Sequence, residues 1–358
     1  MANYVYIAAS LEGKVRIPQG ADTNPPGTIR VMRDMIWHRF MIPILALLAT
    51  AAPAAEKFTF SRPLMGTRFS VVCYAADRAA AGSAAAAAFS KAVEVNAVAS
   101  DYLPDSELAL LSSKPVGEPV SLSPLLYDLL DHSRELAAAT GGAFDPTLGP
   151  LTKLWRETRA SGRLPAPEAL AAARAAGGWR HFTLDPQART ITLHRQHMAF
   201  DLGGIAKGYA ADLMLESLTA AGIRQALVTA GGDVRLGDPP PGREGWKVAL
   251  KTFDAGKNDE VLILSNAAVS TSGDLHQALV IEGVTYSHIL DPATGLGLTR
   301  RVAVSVITGE AKLSDPLATA ACVLGPDRNL GLQSLPGVRD LRTRTPQESR
   351  LEKSKTTP

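Results

Sequence analysis

The stretch ALVTAGGDVRLGDPPPGREGWKVALKTFDAGKNDEVLILSNAAVSTSGDLHQALVI, residues 226–281, decides the fold class. Four apolar, strand-like runs follow one another in it: 226–228, 246–250, 261–264 and 278–281. A further strand-like run, 302–307, leads to an apolar helix over 317–324. Upstream, a helix covers 205–219, and 182–184 with 190–193 form a hairpin around Asp185-Pro186-Gln187. Residues 167–176 form a helix stopped by Gly177-Gly178. Ser123-Pro124 opens another, with Ser as N-cap and Pro in the first turn, and Gly141-Gly142 closes it. Residues 79–100 are Ala-rich and helical, and 58–74 alternate as strands broken at Arg62-Pro63-Leu64-Met65-Gly66. Strands and helices mix without βαβ alternation. The expected fold is therefore α+β, with largely antiparallel sheets and flanking helices.

Composition narrows the function. Of 358 residues, 46% are hydrophobic and 20% charged, an ordinary globular balance. Lys plus Arg number 37 against 35 Asp plus Glu, a net charge of +2, which gives nucleic-acid binding no support. There are two cysteines and no CxxC, so neither a disulfide scaffold nor a thiolate zinc site is expected. Cys73 falls in a strand-like run and Cys322 in the apolar helix, and both read as buried apolar residues. Sequence alone does not say whether they pair.

The N-terminal part reads as targeting rather than fold. Residues 1–31 show no sustained period and are taken as a gene-start artefact or a disordered segment. Residues 32–55 read as a signal peptide. Met32, Arg33, Met35, His38 and Arg39 precede the apolar run 41–52, and Ala52-Pro53-Ala54-Ala55 supplies small residues for cleavage. Translation is then expected to start at Met32 or Met35. The mature chain would begin near Ala55 or Glu56, exported to the periplasm and soluble. A buried N-terminal helix is the alternative; the run is too short to span a bilayer. No cysteine follows it to carry a lipid anchor. Residues 56–341 form the expected domain, and 342–358 are polar, without period, and read as a disordered tail.

Four clusters carry unusual chemistry. Gly141-Gly142-Ala143-Phe144-Asp145-Pro146-Thr147-Leu148-Gly149-Pro150 reads as a helix stop and turn. Asp201-Leu202-Gly203-Gly204-Ile205-Ala206-Lys207-Gly208 opens a helix whose small residues let backbone N–H groups approach an anion, with Lys207 one turn inside. Gly231-Gly232-Asp233 suits a tight turn or a close-lying ligand. The last spans Ser287-His288-Ile289-Leu290-Asp291-Pro292-Ala293-Thr294-Gly295 and Ser314-Asp315-Pro316-Leu317-Ala318-Thr319-Ala320. Pro316 fits a first helical position, which makes Asp315 the expected N-cap. Asp315 and Thr319 then lie one turn apart on one side, and offer either capping or oxygen ligands for a hard cation.

Together with Met65-Gly66-Thr67, Ser100-Asp101-Tyr102, Ser106-Glu107-Leu108 and Ser272-Gly273-Asp274, these clusters resemble the ApbE family, the FAD:protein FMN transferases. The resemblance runs from about Ser61 to Gly325. It implies a T-fold-like domain that binds FAD and a divalent cation, usually Mg2+. The family moves FMN from FAD onto a Thr or Ser hydroxyl of an acceptor protein and releases AMP; typical acceptors are exported domains of membrane redox complexes. By position, Met65, Tyr102, Ala143, Phe144, Asp145, Asp201, Lys207, Ile289 and Ala318 should contact FAD. The Gly204 carbonyl with the Asp315 and Thr319 side chains should hold the metal, and His288 should lie beside the scissile pyrophosphate, with His288 and Asp315 catalytic. Many members have Ala where Pro316 stands, and many carry the lipid-anchor cysteine that is missing here.

The reaction suits such a set. Phosphoryl transfer depends mainly on positioning and charge stabilisation, and magnesium binds through few protein ligands. A base must take the acceptor proton, and His288 or a carboxylate would serve. An FAD pyrophosphatase giving FMN and AMP, or a non-enzymatic periplasmic FAD-binding protein, would use much the same residues.

Overall fold

The computed structural model describes residues 55–250, 260–273 and 278–346. Residues 1–31, the leader-like segment before Ala55, Asp274 and the tail from 347 lie outside the described residues. In chain order the elements are β1 (Glu56–Leu64), β2 (Thr67–Ala75), α1 (Arg78–Ala99), α2 (Glu107–Leu111), β3 (Pro119–Ser121), α3 (Pro124–Ala139), α4 (Gly149–Ser161), α5 (Pro167–Ala176), β4 (Phe182–Asp185), β5 (Thr190–Leu193), α6 (Ala206–Ala220), β6 (Ala226–Ala230), β7 (Asp233–Leu236), β8 (Trp246–Leu250), β9 (Glu260–Leu264), β10 (Ala267–Gly273), β11 (Ala278–Ile281), β12 (Val284–Ser287), β13 (Ala303–Thr308), α7 (Ala311–Leu324) and β14 (Val338–Arg344). Among the described residues, no helix is long and apolar enough to cross a membrane.

Seven strands form one sheet in the order β1-β2-β6-β7-β10-β13-β14, every neighbouring pair antiparallel. The fold is thus α+β, as the succession of strands without crossover helices requires. Helices α1, α6 and α7 pack together, α6 and α7 also lying on the sheet. Phe69, Val71 and Cys73 of β2, Ala226, Val228 and Ala230 of β6, and Val304 and Val306 of β13 join the helices in the main core. The opposite residues, Leu227, Val234, Leu236, Val269 and Ile307, form a second core with Trp246 and Val248 of the β8–β9 hairpin. With both faces covered, β6 (ALVTA) and β13 (AVSVIT) are mostly apolar on both sides rather than alternating.

Two tight connections shape the sheet edge nearest the cleft. Met65-Gly66 link β1 to β2 and Gly231-Gly232 link β6 to β7, each a two-residue hairpin loop by register. Met65 (φ 48°) and Gly66 (φ 69°) both adopt the left-handed conformation that two-residue hairpin loops favour.

Three readings need correction. Helix α7 begins at Ala311, one turn before the expected start, so Pro316 lies inside it and Asp315 is not its N-cap. The reason is distant in sequence. The Asp212 carboxylate on α6 accepts the Ala311 N–H at 2.9 Å and the Lys312 N–H at 2.7 Å, capping α7 from outside while pairing with Arg235 at 2.7 Å. That nonlocal cap supports a first turn that a Pro-based reading places later. Helix α4 starts at Gly149-Pro150, where the reading of 141–150 as a helix stop and turn placed no helix; Pro is tolerated in a first turn. Glycine is needed at 149 because a Cβ would sit 2.7 Å from the Ala199 carbonyl carbon. Strand β14 continues to Arg344, three residues into the expected tail, where Arg344 binds Glu260 at 2.7 Å. Cys73 and Cys322 are both buried, and no disulfide joins them.

Candidate functional site

A cleft of about 490 Å³ opens where the N-terminus of α6, the middle of α7, the β6–β7 turn and the end of β10 converge. Glycine at 208 brings α6 and α7 together, since a Cβ there would lie 2.2 Å from the Ala311 carbonyl oxygen. That approach sets Asp315 beside Lys207. Asp315 Oδ2 accepts from Lys207 Nζ at 3.1 Å and from the Gly208 backbone N–H at 3.2 Å. Lys207 Nζ also donates to the Gly203 carbonyl at 2.8 Å and lies 3.6 Å from Asp233 Oδ2. Asp233 and Asp315 are buried, and Asp233 Oδ2 has no hydrogen-bond partner.

This is an anionic pocket held together by one ammonium. Burial works against the charge on Lys207, but Asp315 and Asp233 outweigh it and hold its pKa above the usual range. Burial, then repulsion from Asp315, push Asp233 up to about 7 against the pull of Lys207. The native state therefore keeps a proton that the unfolded chain, titrating near 3.8, has already released, and native stability falls as pH rises through that interval. Asp233→Asn removes this loss. Its stability relative to the parent should climb from about pH 5 to about pH 7 in thermal melts of the metal-free protein. A constant offset across that range would show that Asp233 is not the titrating group.

Thr319 lies one turn beyond Asp315, its Oγ1 3.2 Å from the Ser272 hydroxyl and 3.6 Å from where a Gly204 Cβ would stand. Gly204, Asp315 and Thr319 thus line the cleft together, and the Asp315 carboxylate and the Thr319 hydroxyl are hard oxygen donors. Among the described residues, no group of three or more His, Cys, Asp and Glu side chains is placed to hold a metal. A cation here would keep most of its coordination for water or a ligand's oxygens, which suits magnesium rather than zinc. Asp233, 3.6 Å from the Lys207 ammonium, adds a further carboxyl group to the same pocket.

Most of the expected residues meet in this cleft. Tyr102, Ala143, Phe144, Asp145, Asp201, Gly204, Lys207, His288, Ile289, Asp315 and Thr319 all line it. Their roles differ. Asp145 is a fixed turn residue, accepting from the Thr147 N–H at 2.8 Å, the Thr147 hydroxyl at 2.6 Å and the Trp179 N–H at 3.2 Å. Asp201 accepts the Gly203 N–H at 2.8 Å and so shapes the entry to α6. Met65 and Ala318 stand off the wall. Met65 packs against the main core beside the lining Gly66, and Ala318 is fully buried on α7.

Sequence reading gave no site role to Trp155, Arg156 and Arg159, which line the cleft from α4, and quoted Ser272, which lines it from β10, only within Ser272-Gly273-Asp274. The α4 group was hidden with its helix. Strand β10 was overlooked because Ser270-Thr271-Ser272-Gly273 looks like a loop; its hydroxyls instead meet Ser314 at 2.7 Å, Ser305 at 2.8 Å and Thr319 at 3.2 Å.

An antiparallel α+β domain with a glycine-lined helix N-terminus opening on a cleft suits a phosphate-bearing ligand. The chain belongs to the ApbE family, which it matches over residues 65–339. It is 31% identical over 295 residues to a Vibrio cholerae protein named FAD:protein FMN transferase, covering 80% of this chain and 87% of that one. It also resembles the apo crystal structure of the Pseudomonas stutzeri flavinyl transferase ApbE, with TM-score 0.72 and 29% identity over 83% of this chain and 97% of the other. The crystal structure of the Thermotoga maritima ApbE protein gives TM-score 0.73 at 28% identity over 83% and 99%.

Proposed function

We infer that this chain transfers FMN from FAD to a Thr or Ser hydroxyl of an acceptor protein, forming a phosphoester and releasing AMP, in a magnesium-dependent reaction. The observation that carries this reading is the cleft in which Gly204, Asp315 and Thr319 stand with Lys207 bonded to Asp315, with His288 also lining it, in a chain of the ApbE family. The uncapped N-terminus of α6 at Ile205 and the Lys207 ammonium suit the diphosphate of FAD. Magnesium, when bound, would offset charge on the diphosphate oxygens. The acceptor oxygen attacks the FMN phosphorus, the bond from that phosphorus to the bridging oxygen breaks, and the electron pair leaves on AMP. The acceptor proton passes to a base, a role that His288, which lines the cleft, would fill.

The test is mass spectrometry of a candidate acceptor incubated with the protein, FAD and magnesium. The expected result is a gain equal to FMN on one Thr or Ser, with AMP formed in equal amount. Free FMN with an unmodified acceptor would mean a pyrophosphatase, and neither product a carrier. FAD should also bind more tightly than FMN or riboflavin, because the AMP half has to be recognised before it leaves. Equal affinity for all three would count against a transferase site.

The same reading includes export to the periplasm. Its support is the basic and apolar pattern of residues 32–55, directly before the start of β1 at Glu56. Protein recovered from its native host should begin near Ala55. Chains from the cytoplasm that begin at Met1 would contradict it.

A further inference from the structure

Tyr102 is the most exposed large apolar side chain among the described residues, at 74%, although it lines the cleft. It sits between α1 and α2 on a turn fixed by backbone contacts: the Tyr102 N–H donates to Ser100 Oγ at 3.2 Å, and Ser106 Oγ donates to the Ser100 carbonyl at 2.5 Å. These contacts hold the loop and leave the ring itself unconstrained. What meets the ring is Arg156, reaching across from α4 with its guanidinium carbon 3.9 Å from the ring centroid. The same guanidinium is ion-paired with Asp101, whose side chain is mostly buried. Asp101 also feels Asp201, so Arg156 offsets charge that burial and a like-charged neighbour make costly.

We propose that Arg156 is a positioning residue for FAD: anchored by Asp101, it backs one face of Tyr102 and presents the other as a stacking platform for a planar ring of the ligand. The proposal rests on the flavin reading of the cleft. An exposed tyrosine samples several rotamers, and a ligand that stacks on it must first select one. A flat cation on the opposite face makes that selection in advance and strengthens the ring's interaction. Lysine would keep the charge and lose the plane and the fork, so it is not equivalent here. A simpler role for Arg156, direct attraction of the FAD phosphates, would not involve Tyr102 at all.

A double-mutant cycle separates the two. FAD, FMN and ADP are titrated against the full chain, Arg156→Ala, Arg156→Lys, Tyr102→Ala and the double variant Arg156→Ala/Tyr102→Ala. The Kd for FAD should rise about 5–30-fold in Arg156→Ala, the scale of a desolvated cation–π contact, and by less in Arg156→Lys. In the Tyr102→Ala background, the same arginine substitution should change Kd by less than about 2-fold, because the platform is already gone. A loss shared with FMN places the flavin ring on Tyr102, and one shared with ADP places the adenine there. An unchanged Kd, or an equal factor with and without Tyr102, overturns the proposal. Should Arg156→Ala fail to fold, Arg156→Lys with and without Tyr102 gives the same decision. Failure of the parent chain to bind FAD would strike the flavin reading itself; tight FAD binding indifferent to Arg156 strikes this proposal alone.

Discussion

Replacing Asp315 should abolish FMN transfer while leaving the protein folded. The structure sharpens this expectation by removing the rival role. Asp315 lies in the second turn of α7, and the start of that helix is capped by Asp212 from α6. No helix cap is therefore lost on substitution. What Asp315→Ala removes is the acceptor for Lys207 Nζ and for the Gly208 N–H. An unpaired buried N–H costs about 1–3 kcal/mol, so the alanine variant mixes a stability loss with the chemistry. Asp315→Asn separates them: its amide oxygen still accepts the Gly208 N–H, but the charge is gone. Both variants should lose roughly 10³-fold or more in rate, the scale of removing a charge-stabilising group from a buried reaction centre. Added magnesium should no longer stimulate either. Thr319→Val, which deletes one neutral oxygen, should weaken the magnesium dependence with a smaller loss of rate. Rates, melting temperatures and a magnesium titration on the same samples decide the matter. A folded Asp315→Asn protein with parental rate and magnesium response would remove Asp315 from the site.

The outline of the fold was legible in particular residues. Ser123 caps α3, accepting the Leu126 N–H at 3.3 Å, with Pro124 in the first turn, because this start signal is local and needs no tertiary partner. The β4–β5 hairpin falls where turn residues and apolar alternation placed it. Signals completed by distant residues were not legible. The start of α7 depends on Asp212, a hundred positions away along the chain, and the sequence offered Pro316 as the nearer marker. Strand β10 is central to the sheet yet made of small hydroxyl residues. Its stability depends on pairing with β7 and β13 and on hydroxyl partners in β13 and α7.

The site shows the same division. Lys207, Asp315 and Thr319 were readable because motif spacing places them on two helices. Asp233 was quoted only as part of a glycine turn. Nothing local shows that the turn carries its carboxylate into the pocket of Lys207 and Asp315, 3.6 Å from the ammonium. Arg156 was invisible for a similar reason: its partners Asp101 and Tyr102 lie far away in sequence on another loop. Met65 and Ala318 are not among the residues of the cleft wall, though each neighbours one: Met65 is half-buried against the core beside a hairpin turn, and Ala318 is buried on α7.

Replacing His288 should slow transfer while sparing FAD binding and stability. The backbone around it is fixed: the Ser287 N–H donates to the Leu298 carbonyl at 2.7 Å, the Ile289 N–H to Ser287 Oγ at 3.1 Å, and the Leu298 N–H to the Ile289 carbonyl at 2.9 Å. Ser287 and Ile289 are buried on either side, whereas His288 is exposed and lines the cleft. An acceptor protein brings its hydroxyl from solvent, so the base that meets it has to be reachable. The carboxylates of the cleft fit that task less well: Asp145 is committed to Thr147 and Trp179, Asp233 is buried, and Asp201 holds the Gly203 N–H. His288 is exposed, so His288→Ala should change stability far less than it changes the rate. If the imidazole takes the acceptor proton, the rate should fall by roughly 10²–10⁴-fold with the Kd for FAD little changed. Imidazole added to the alanine variant should restore part of the rate, since the vacated position opens to solvent. A parental rate in His288→Ala would leave His288 a wall residue. A lost rate that follows a lost affinity for FAD would make it a binding group rather than the base.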